Sequence, residues 1–585
     1  MAPSLIRACR IQLRSGFRSA AVRPPPAYGW AGRARLTSTS TSSASRGSGV
    51  PLALGLVLSA AATGFVIGSL FSMSPSSSPR SPSGPAHFAS AHHAKPVYGT
   101  PADFRAAIDE LLHVFPSDER SVVSLDEDDL AIHGMSTNTY HTGFSPSVVV
   151  YPESTEDVVE IVKVANKYRM PLIPYSGATA LEGHFIGPCG TADIRTLKLA
   201  GGCITVDMSQ MNKIIEIHEA DADVVCQPGV GWMELNETLK SEGIPLFFPI
   251  DPAPAATIGG MASTGCSGTN AVRYGTAKAE WFLNLTVVLP NGEVIKTRQR
   301  SRKSSAGWDT TKLFIGAEGT LGIITEVTLR LAPVVPTSVA SVQFPDVKAA
   351  VDASIEIMRS SVSSNIQCVE LVDDTFLAAT NKYGSSRFQY AVSDGLFLKF
   401  QASSKSAIPD TIRVVRQICD KHGGTGFRAA RSDAEAADIW QDRKNAHHIG
   451  MALVPGARGW ATDVCVPVSN LPALVLDTKR DLEARGLPYT IVGHVGDGNF
   501  HAQILFRDDA ERRQVEEAVH QMVDRAIELE GTCTGEHGVG VGKREYLVKE
   551  LGAGTVGLMK AVKRTVDPLG IMNPGKLYPD DEDEK

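Results

Sequence analysis

The side chains in this chain best suited to chemistry lie in two short histidine motifs. The first is Gly493-His494-Val495-Gly496-Asp497-Gly498-Asn499-Phe500-His501, and the second, Gly535-Glu536-His537-Gly538-Val539-Gly540, puts its glutamate 35 residues past His501. Two imidazoles and a carboxylate are an ordinary ligand set for a divalent ion, with positions left open for water or substrate. A further histidine beside the carboxylate can accept a proton, and the glycines let a ligand come close to the backbone. Either motif alone is equally well read as a glycine-rich turn whose histidines bond to the backbone. Together they point to a metal-assisted redox site.

These motifs need elements to hold them. Strands over 489–494 and 500–506 would flank the Gly-Asp-Gly-Asn turn, so that both histidines point from adjacent strand ends into one site. Asp497 serves there either as a turn residue or as a partner to a ligand. From Pro336 to about Gly554, helical stretches (347–359, 408–422, 471–485, 510–530) alternate with strands (396–402, 461–467, 489–494, 500–506). That order predicts a cap domain of antiparallel sheet covered by helices. His447 and His448 read as solvated or core residues.

The preceding stretch has a different composition. A helix over 104–115 leads in, 147–152 reads as a strand, and Ser154 caps an amphipathic helix. After a short strand at 171–174 comes Tyr175-Ser176-Gly177-Ala178-Thr179-Ala180-Leu181, small residues whose N–H groups can converge on an anion. No GxGxxG fingerprint occurs. Nearly every residue from 251 to 268 is Pro, Gly, Ala, Ser or Thr, a run too small to fill a core but able to line a flat ligand with main chain. Arg273-Tyr274-Gly275, a strand at 285–289 with an Asn291-Gly292 turn, and the run 312–327 follow.

On these residues the chain resembles the flavoenzymes of the vanillyl-alcohol oxidase type over about 143–333, and again at Gly570-Ile571-Met572-Asn573-Pro574-Gly575-Lys576-Leu577. The resemblance implies an α+β fold, a two-part FAD-binding domain with the cofactor between its parts, plus the cap. It places residues 175–181 at the pyrophosphate, 251–263 along the flavin and ribityl chain, and 318–324 near the nucleotide. The cofactor-binding residues it implies are Tyr175, Ser176, Gly177, Ala178, Thr179, Ala180, Leu181, Pro249, Asp251, Ala256, Ile258, Gly259, Gly260, Ala262, Ser263, Gly265, Tyr274, Glu318, Gly319, Ile324 and Asn573. Relatives that tether FAD from the first loop have a histidine where this chain has Thr179, so non-covalent FAD is implied.

The cap motifs are similar to those of the D-2-hydroxyacid dehydrogenases of this flavin family. That likeness implies His494, His501 and Glu536 as ligands of a divalent metal, zinc or manganese. It makes His537 the base and Arg443, in Trp440-Gln441-Asp442-Arg443-Lys444, the partner of the substrate carboxylate. Relatives acting on 2-hydroxyglutarate have Lys-Tyr-Asp where this chain has Ala461-Thr462-Asp463. The missing lysine favours a short monocarboxylate such as D-lactate, with cytochrome c as acceptor. Other D-2-hydroxyacids (2-hydroxyglutarate, glycolate), an oxidase, or a flavin-binding scaffold without turnover are the alternatives.

At 585 residues, 43% hydrophobic and 21% charged, the chain suits two or three globular domains after its N-terminal segment. Nine cysteines without a CxxC indicate neither a thiolate zinc site nor a disulfide framework. Residues 1–102 hold nine arginines and one lysine but no acid, so the remainder carries 47 basic against 64 acidic side chains, a balance of −17. Such a body argues against nucleic acid and suits a basic partner. Arg7, Arg10, Arg14 and Arg18 at helical spacing, with serines and threonines behind them, read as a mitochondrial presequence over 1–48. An apolar segment over 50–72 is long enough to span the inner membrane, and 74–101 is a Ser/Pro linker. The flanking charges place the body in the intermembrane space. The expected domains are then 143–333 for FAD with lead-in 102–142, 334–560 for the cap, and 561–585 returning to the FAD half.

Overall fold

The computed structural model describes residues 96–117, 120–136, 138–187, 202–384 and 388–580. The presequence, the candidate span and most of the linker lie outside them. Among the described residues no helix is long and apolar enough to cross a membrane.

Three β-sheets carry the architecture. The first has the strand order Val123–Ser124, Val148–Val150, Ile204–Asp207, Leu172–Tyr175, the last three parallel. Parallel strands need a crossover, and the helix Thr155–Tyr168 supplies the one from Val148–Val150 to Leu172–Tyr175, which flank Ile204–Asp207. The Ser154 hydroxyl accepts the Asp157 N–H at its start, a cap worth about 1 kcal/mol. Val158, Ile161, Val162 and Ala165 recur at helical spacing and are fully buried against the sheet. The second sheet is antiparallel and five-stranded: Ile214–His218, Asp223–Cys226, Ile323–Arg330, Phe282–Val288, Val294–Lys296. Its core includes Leu285, Val287, Val327 and Leu329.

The third sheet has eight strands, all antiparallel, and forms the cap. The helices Val347–Arg359, Ile408–Lys421, Leu471–Arg485 and Asp509–Glu528 stand where the apolar periodicity puts them. Strands Thr337–Gln343, Ile366–Val372 and Thr425–Ala429 and the helices Asp374–Tyr383, Asp433–Lys444 and Ala446–Ala452 are additional to the sequence reading. Ile366–Val372 is buried along its whole length, so it has no polar-apolar alternation to betray it.

Two local expectations change. The small-residue run holds a helix, Ile258–Thr264, and its Ile258, Met261 and Ala262 are buried in the second core. The run therefore does help to fill a core, because residues three and four apart share a helix face. The strand expected over 461–467 is two pieces, Arg458–Ala461 and Val464–Cys465, in one register against Asn499–Phe506. Thr462 and Asp463, between the pieces, are left for side-chain work.

The C-terminal segment returns to the first sheet. The Leu172 N–H donates to Ile571 O and the Asn573 N–H to Leu172 O, each at 2.8 Å. Ile571 and Met572 are fully buried in that sheet's core.

Candidate functional site

A cavity of about 250 Å3 opens between the first two sheets and reaches the cap. All of Tyr175 to Leu181 line it, as do Ala256, Gly259, Gly260, Ser263, Glu318, Gly319, Ile324 and Asn573. Many of the residues that line it in this half are no larger than threonine, set among larger ones such as Tyr175, Phe185, Met208 and Met261. A Cβ on Gly177 would meet Ala255 O at 2.5 Å, and one on Gly259 would meet the Pro228 Cβ at 2.4 Å. Ala178, Glu318 and Asn573 take left-handed backbone with φ of 52°, 54° and 41°, a strain of about 1 kcal/mol or more each. Three such residues on one wall mark a surface shaped for a ligand. A cradle of turning backbone and small side chains fits a pyrophosphate joined to a planar ring system.

Six of the expected cofactor residues do not line this cavity. Ile258 and Ala262 face the core, and Gly265 ends their helix in a left-handed cap. The Pro249 carbonyl takes the Asn270 side chain, and the Asp251 carboxylate takes the Asn270 N–H and the Thr269 hydroxyl. Both residues therefore brace the loop. Tyr274 donates its hydroxyl to Gln401 in the cap.

Glu536 and His537 line the same cavity from the cap side. The strands Tyr489–Gly493 and Asn499–Phe506 deliver His494 and His501 beside them, with ring centroids 5.4 Å apart. His494 Nε2 and His501 Nε2 stand 3.1 and 3.2 Å from the same Glu536 oxygen. The Nδ1 of each has its own acceptor: the Glu370 carboxylate at 2.9 Å for His494, and Thr462 O at 3.0 Å for His501. With Nδ1–H so engaged, each Nε2 faces a carboxylate oxygen, a pair that either a proton on the nitrogen or a metal ion between the two can hold together. Ligand atoms sharing an ion at roughly 2.1 Å lie about 3 Å apart, so the spacing fits a divalent metal. Asp463, His501 and His537 form a second close group. There Asp463 is already occupied: it accepts the Asn499 amide, the Thr534 hydroxyl and the backbone N–H groups of Glu536 and His537 at 2.8–2.9 Å.

Charge accounts for the protonation of this cluster. Burial opposes the His494 imidazolium, but the carboxylates of Glu370 and Glu536 outweigh it and hold its pKa well above the usual. Burial would raise the Glu536 pKa, and the two histidines instead keep it well below the ordinary carboxylate range. His537 differs. Burial pushes its pKa down to about 4 against the opposing pull of Asp463, which leaves a neutral imidazole. Its ring stacks on His501 at 4.8 Å, and its Nδ1 is buried without a hydrogen-bond partner. A neutral, unengaged ring nitrogen is the state a proton acceptor needs.

Arg443 belongs to this cluster through Glu370. Its Nη2 donates to Glu370 Oε2 at 2.6 Å, its Nε is buried without a partner, and the residue is buried. His447 is exposed and bonds Gln503, and Asp497 is exposed with its backbone closing the turn.

Four residues with structural claims on the site escape the sequence reading: Glu370, Asp463, Ser267 and His184. The Ser267 hydroxyl donates to Glu536 Oε2 at 2.5 Å, joining the small-residue run to the carboxylate. Glu318 joins the halves again, its oxygens accepting the N–H groups of Val539 and Gly540 at 2.6 and 2.8 Å, with His184 3.3 Å away. Asp463 carried a signal, since the quoted Lys-Tyr-Asp pattern keeps its aspartate here.

Family models agree with this division. The one described as FAD binding domain matches residues 146–298, and the one described as FAD linked oxidases, C-terminal domain, matches 336–577. D-lactate dehydrogenase [cytochrome], mitochondrial, of Arabidopsis thaliana is 44% identical over 461 residues, covering 78% of each chain. Its counterpart in Kluyveromyces lactis is 40% identical over 494 residues, covering 83% of each. A 4-ethylphenol oxidase from Gulosibacter chungangensis superposes with a TM-score of 0.66 at 21% identity, over 83% of this chain and 99% of that one, a likeness of fold. The structure is the vanillyl-alcohol oxidase-like α+β fold, a two-part flavin unit with an antiparallel cap. By its sequence kinship, the chain belongs to the FAD-linked oxidase family that contains the mitochondrial D-lactate dehydrogenases.

Proposed function

We propose that this chain is an FAD-dependent dehydrogenase that oxidises D-lactate to pyruvate and passes the electrons to cytochrome c. One observation carries the reading. Glu536 and His537 open into the cavity lined by the small-residue loops, with His494, His501 and Arg443 behind them in one connected cluster. Relatives named for other substrates, a glycolate oxidase subunit of Bacillus subtilis and a D-2-hydroxyglutarate dehydrogenase of Stutzerimonas stutzeri, stand at 30% and 29% identity, below the mitochondrial D-lactate dehydrogenases at 44% and 40%.

Residues 175–181, 256–263 and 318–324 would hold FAD, which supplies a hydride acceptor when bound. His494, His501 and Glu536 would hold a divalent ion, zinc or manganese, which lowers the pKa of a coordinated hydroxyl. Arg443 pairs with the substrate carboxylate and so orients the α-carbon. His537 takes the hydroxyl proton as the α-hydrogen leaves with its electron pair, so one alcohol yields one ketone, one proton and one hydride. Glu536 and Ser267 hold the two halves together while this happens, and the buried walls keep water from competing. Thr179 in the first loop supports non-covalent FAD. Ala461, with no cationic side chain to meet a second carboxylate, supports a monocarboxylate.

The mitochondrial relatives and the basic N-terminal segment support a mitochondrial location. The apolar run 50–72 and the charges before it support the inner membrane, with the body in the intermembrane space where cytochrome c is within reach. The test is anaerobic flavin bleaching by D- and L-2-hydroxyacids, followed by reoxidation with cytochrome c or oxygen. Rapid bleaching by D-lactate and reoxidation by cytochrome c are expected. Preference for 2-hydroxyglutarate, or fast reoxidation by oxygen alone, would replace the substrate or the acceptor, and bleaching by no acid would leave a scaffold.

A further inference from the structure

Glu370 lies within the strand Ile366–Val372, fully buried beneath the candidate site. A buried carboxylate is unfavourable unless its charge is met. Here it is met twice, by Nδ1 of His494 at 3.0 and 2.9 Å and by Nη2 of Arg443 at 2.6 Å. One Glu370 oxygen, Oε2, accepts from both groups. These are the side chains that the proposed reaction uses for the metal and for the substrate carboxylate, and they come from separate elements. His494 follows the strand Tyr489–Gly493, and Arg443 lies in the last turn of the helix Asp433–Lys444.

We propose that Glu370 is a positioning residue that couples the metal-binding histidine to the carboxylate-binding arginine. As the acceptor for Nδ1–H it fixes the His494 tautomer and turns Nε2 toward Glu536. The same oxygen sets the direction of the guanidinium, leaving its remaining N–H groups to meet a substrate. Metal and substrate carboxylate are thereby held at a fixed separation, which a 2-hydroxyacid, with its hydroxyl one carbon from the carboxylate, requires. A carboxylate is needed because two donors converge on it. An amide can keep its oxygen at the shared position, but it has no charge to meet the arginine and its NH2 would then stand at the Oε1 place, 3.0 Å from His494 Nδ1, donor against donor.

The inference rests on the proposed function, and its test separates the two. Glu370→Gln protein carrying FAD is stripped of metal and titrated with Zn2+ or Mn2+, with bound metal read by elemental analysis, and D-lactate kinetics are measured at saturating metal. Metal affinity should fall about 10–100-fold, and KM should rise by about tenfold or more while kcat falls less. Unchanged FAD content and melting temperature would show the fold intact. Glu370→Asp, which keeps the charge and shortens the reach, should move both quantities the same way by less, and it serves if the glutamine variant does not fold. In a double-mutant cycle with Arg443→Gln the KM effects should not multiply, because Glu370 acts on the substrate through that arginine. Metal affinity and KM within about twofold of wild type, or KM effects that multiply, would overturn the coupling alone. A wild-type protein that takes up neither ion overturns the metal site and the coupling together.

Discussion

The flavin half and the cap meet at one cavity with opposite materials. On the flavin side, residues 176–180 present nothing larger than threonine, and three non-glycine residues hold left-handed backbone. On the cap side, His494, His501, Glu536, Arg443 and Glu370 are linked by short bonds, with His537 stacked on His501, and His494, Arg443 and Glu370 are buried. Shape and turning backbone suit a planar cofactor that stays in place through the cycle. Buried charges suit bonds that change during it, because electrostatics are strong where water is excluded. The two sets of residues are separate, so damage to one half should leave the other half's ligand in place.

The largest effect should come from the cap. Glu536→Ala or His501→Ala is expected to lose bound metal and to lower turnover on the order of 10^3-fold. FAD should stay bound in both, as read by the flavin spectrum and elemental analysis. Metal retained together with activity after exhaustive chelation would remove the ion from the account. His537→Ala should keep both ligands and lower kcat by about 10^2–10^4-fold, the contribution of a positioned base. A kcat within a few fold of wild type would give the proton to another group.

The converse break belongs to the flavin half. Gly177→Ala puts a Cβ 2.5 Å from Ala255 O, where the backbone cannot yield cheaply. An overpacking cost of about 1–3 kcal/mol predicts FAD affinity weaker by roughly 10–100-fold. Metal content should be unchanged, and joint loss of both ligands would mean the halves are not independent.

Much of this contrast can be read from the chain, and the exceptions have physical causes. Four cap helices were legible because an amphipathic helix repeats its apolar residues at a fixed spacing. Helix Val347–Arg359 has the ends that its periodicity predicts. The histidine motifs were legible because Gly-Asp-Gly-Asn marks the turn that separates the two strands. Glu370 was not. It is a lone acid in Ile-Gln-Cys-Val-Glu-Leu-Val, and only a fold that sets Ile366–Val372 against Tyr489–Gly493 and the end of Asp433–Lys444 gives it partners. The flavin loops show a related limit. Composition marks 251–268 as unusual, yet it cannot tell Gly259 and Ser263, which face the cavity, from Ile258 and Ala262, which face the core, because that division is a helix phase.

Smaller effects sharpen the cap's side of the comparison. Ala461 pairs with Gln503 in the sheet, and Gln503 lies on the same strand face as His501 two residues away. Ala461→Lys should shift the kcat/KM ratio from D-lactate toward D-2-hydroxyglutarate by about tenfold. An unchanged ratio would show that this position does not set chain length. The smallest effect concerns the acceptor. Raising ionic strength from about 10 to 150 mM should slow cytochrome c reduction several-fold, because a body of −17 attracts a basic partner, while flavin reduction by D-lactate changes little. Equal responses of the two half-reactions would assign the charge to solubility.

The central claim is that the cap cluster drives the chemistry on a flavin held by the other half. It is tested most directly by mixing D-lactate anaerobically with FAD-loaded protein before chelation, after chelation, and after restoring Zn2+ or Mn2+. The account predicts fast bleaching, then loss of bleaching with the flavin still bound, then recovery on adding the ion. Bleaching that persists at the same rate in protein shown by elemental analysis to be free of metal would contradict it.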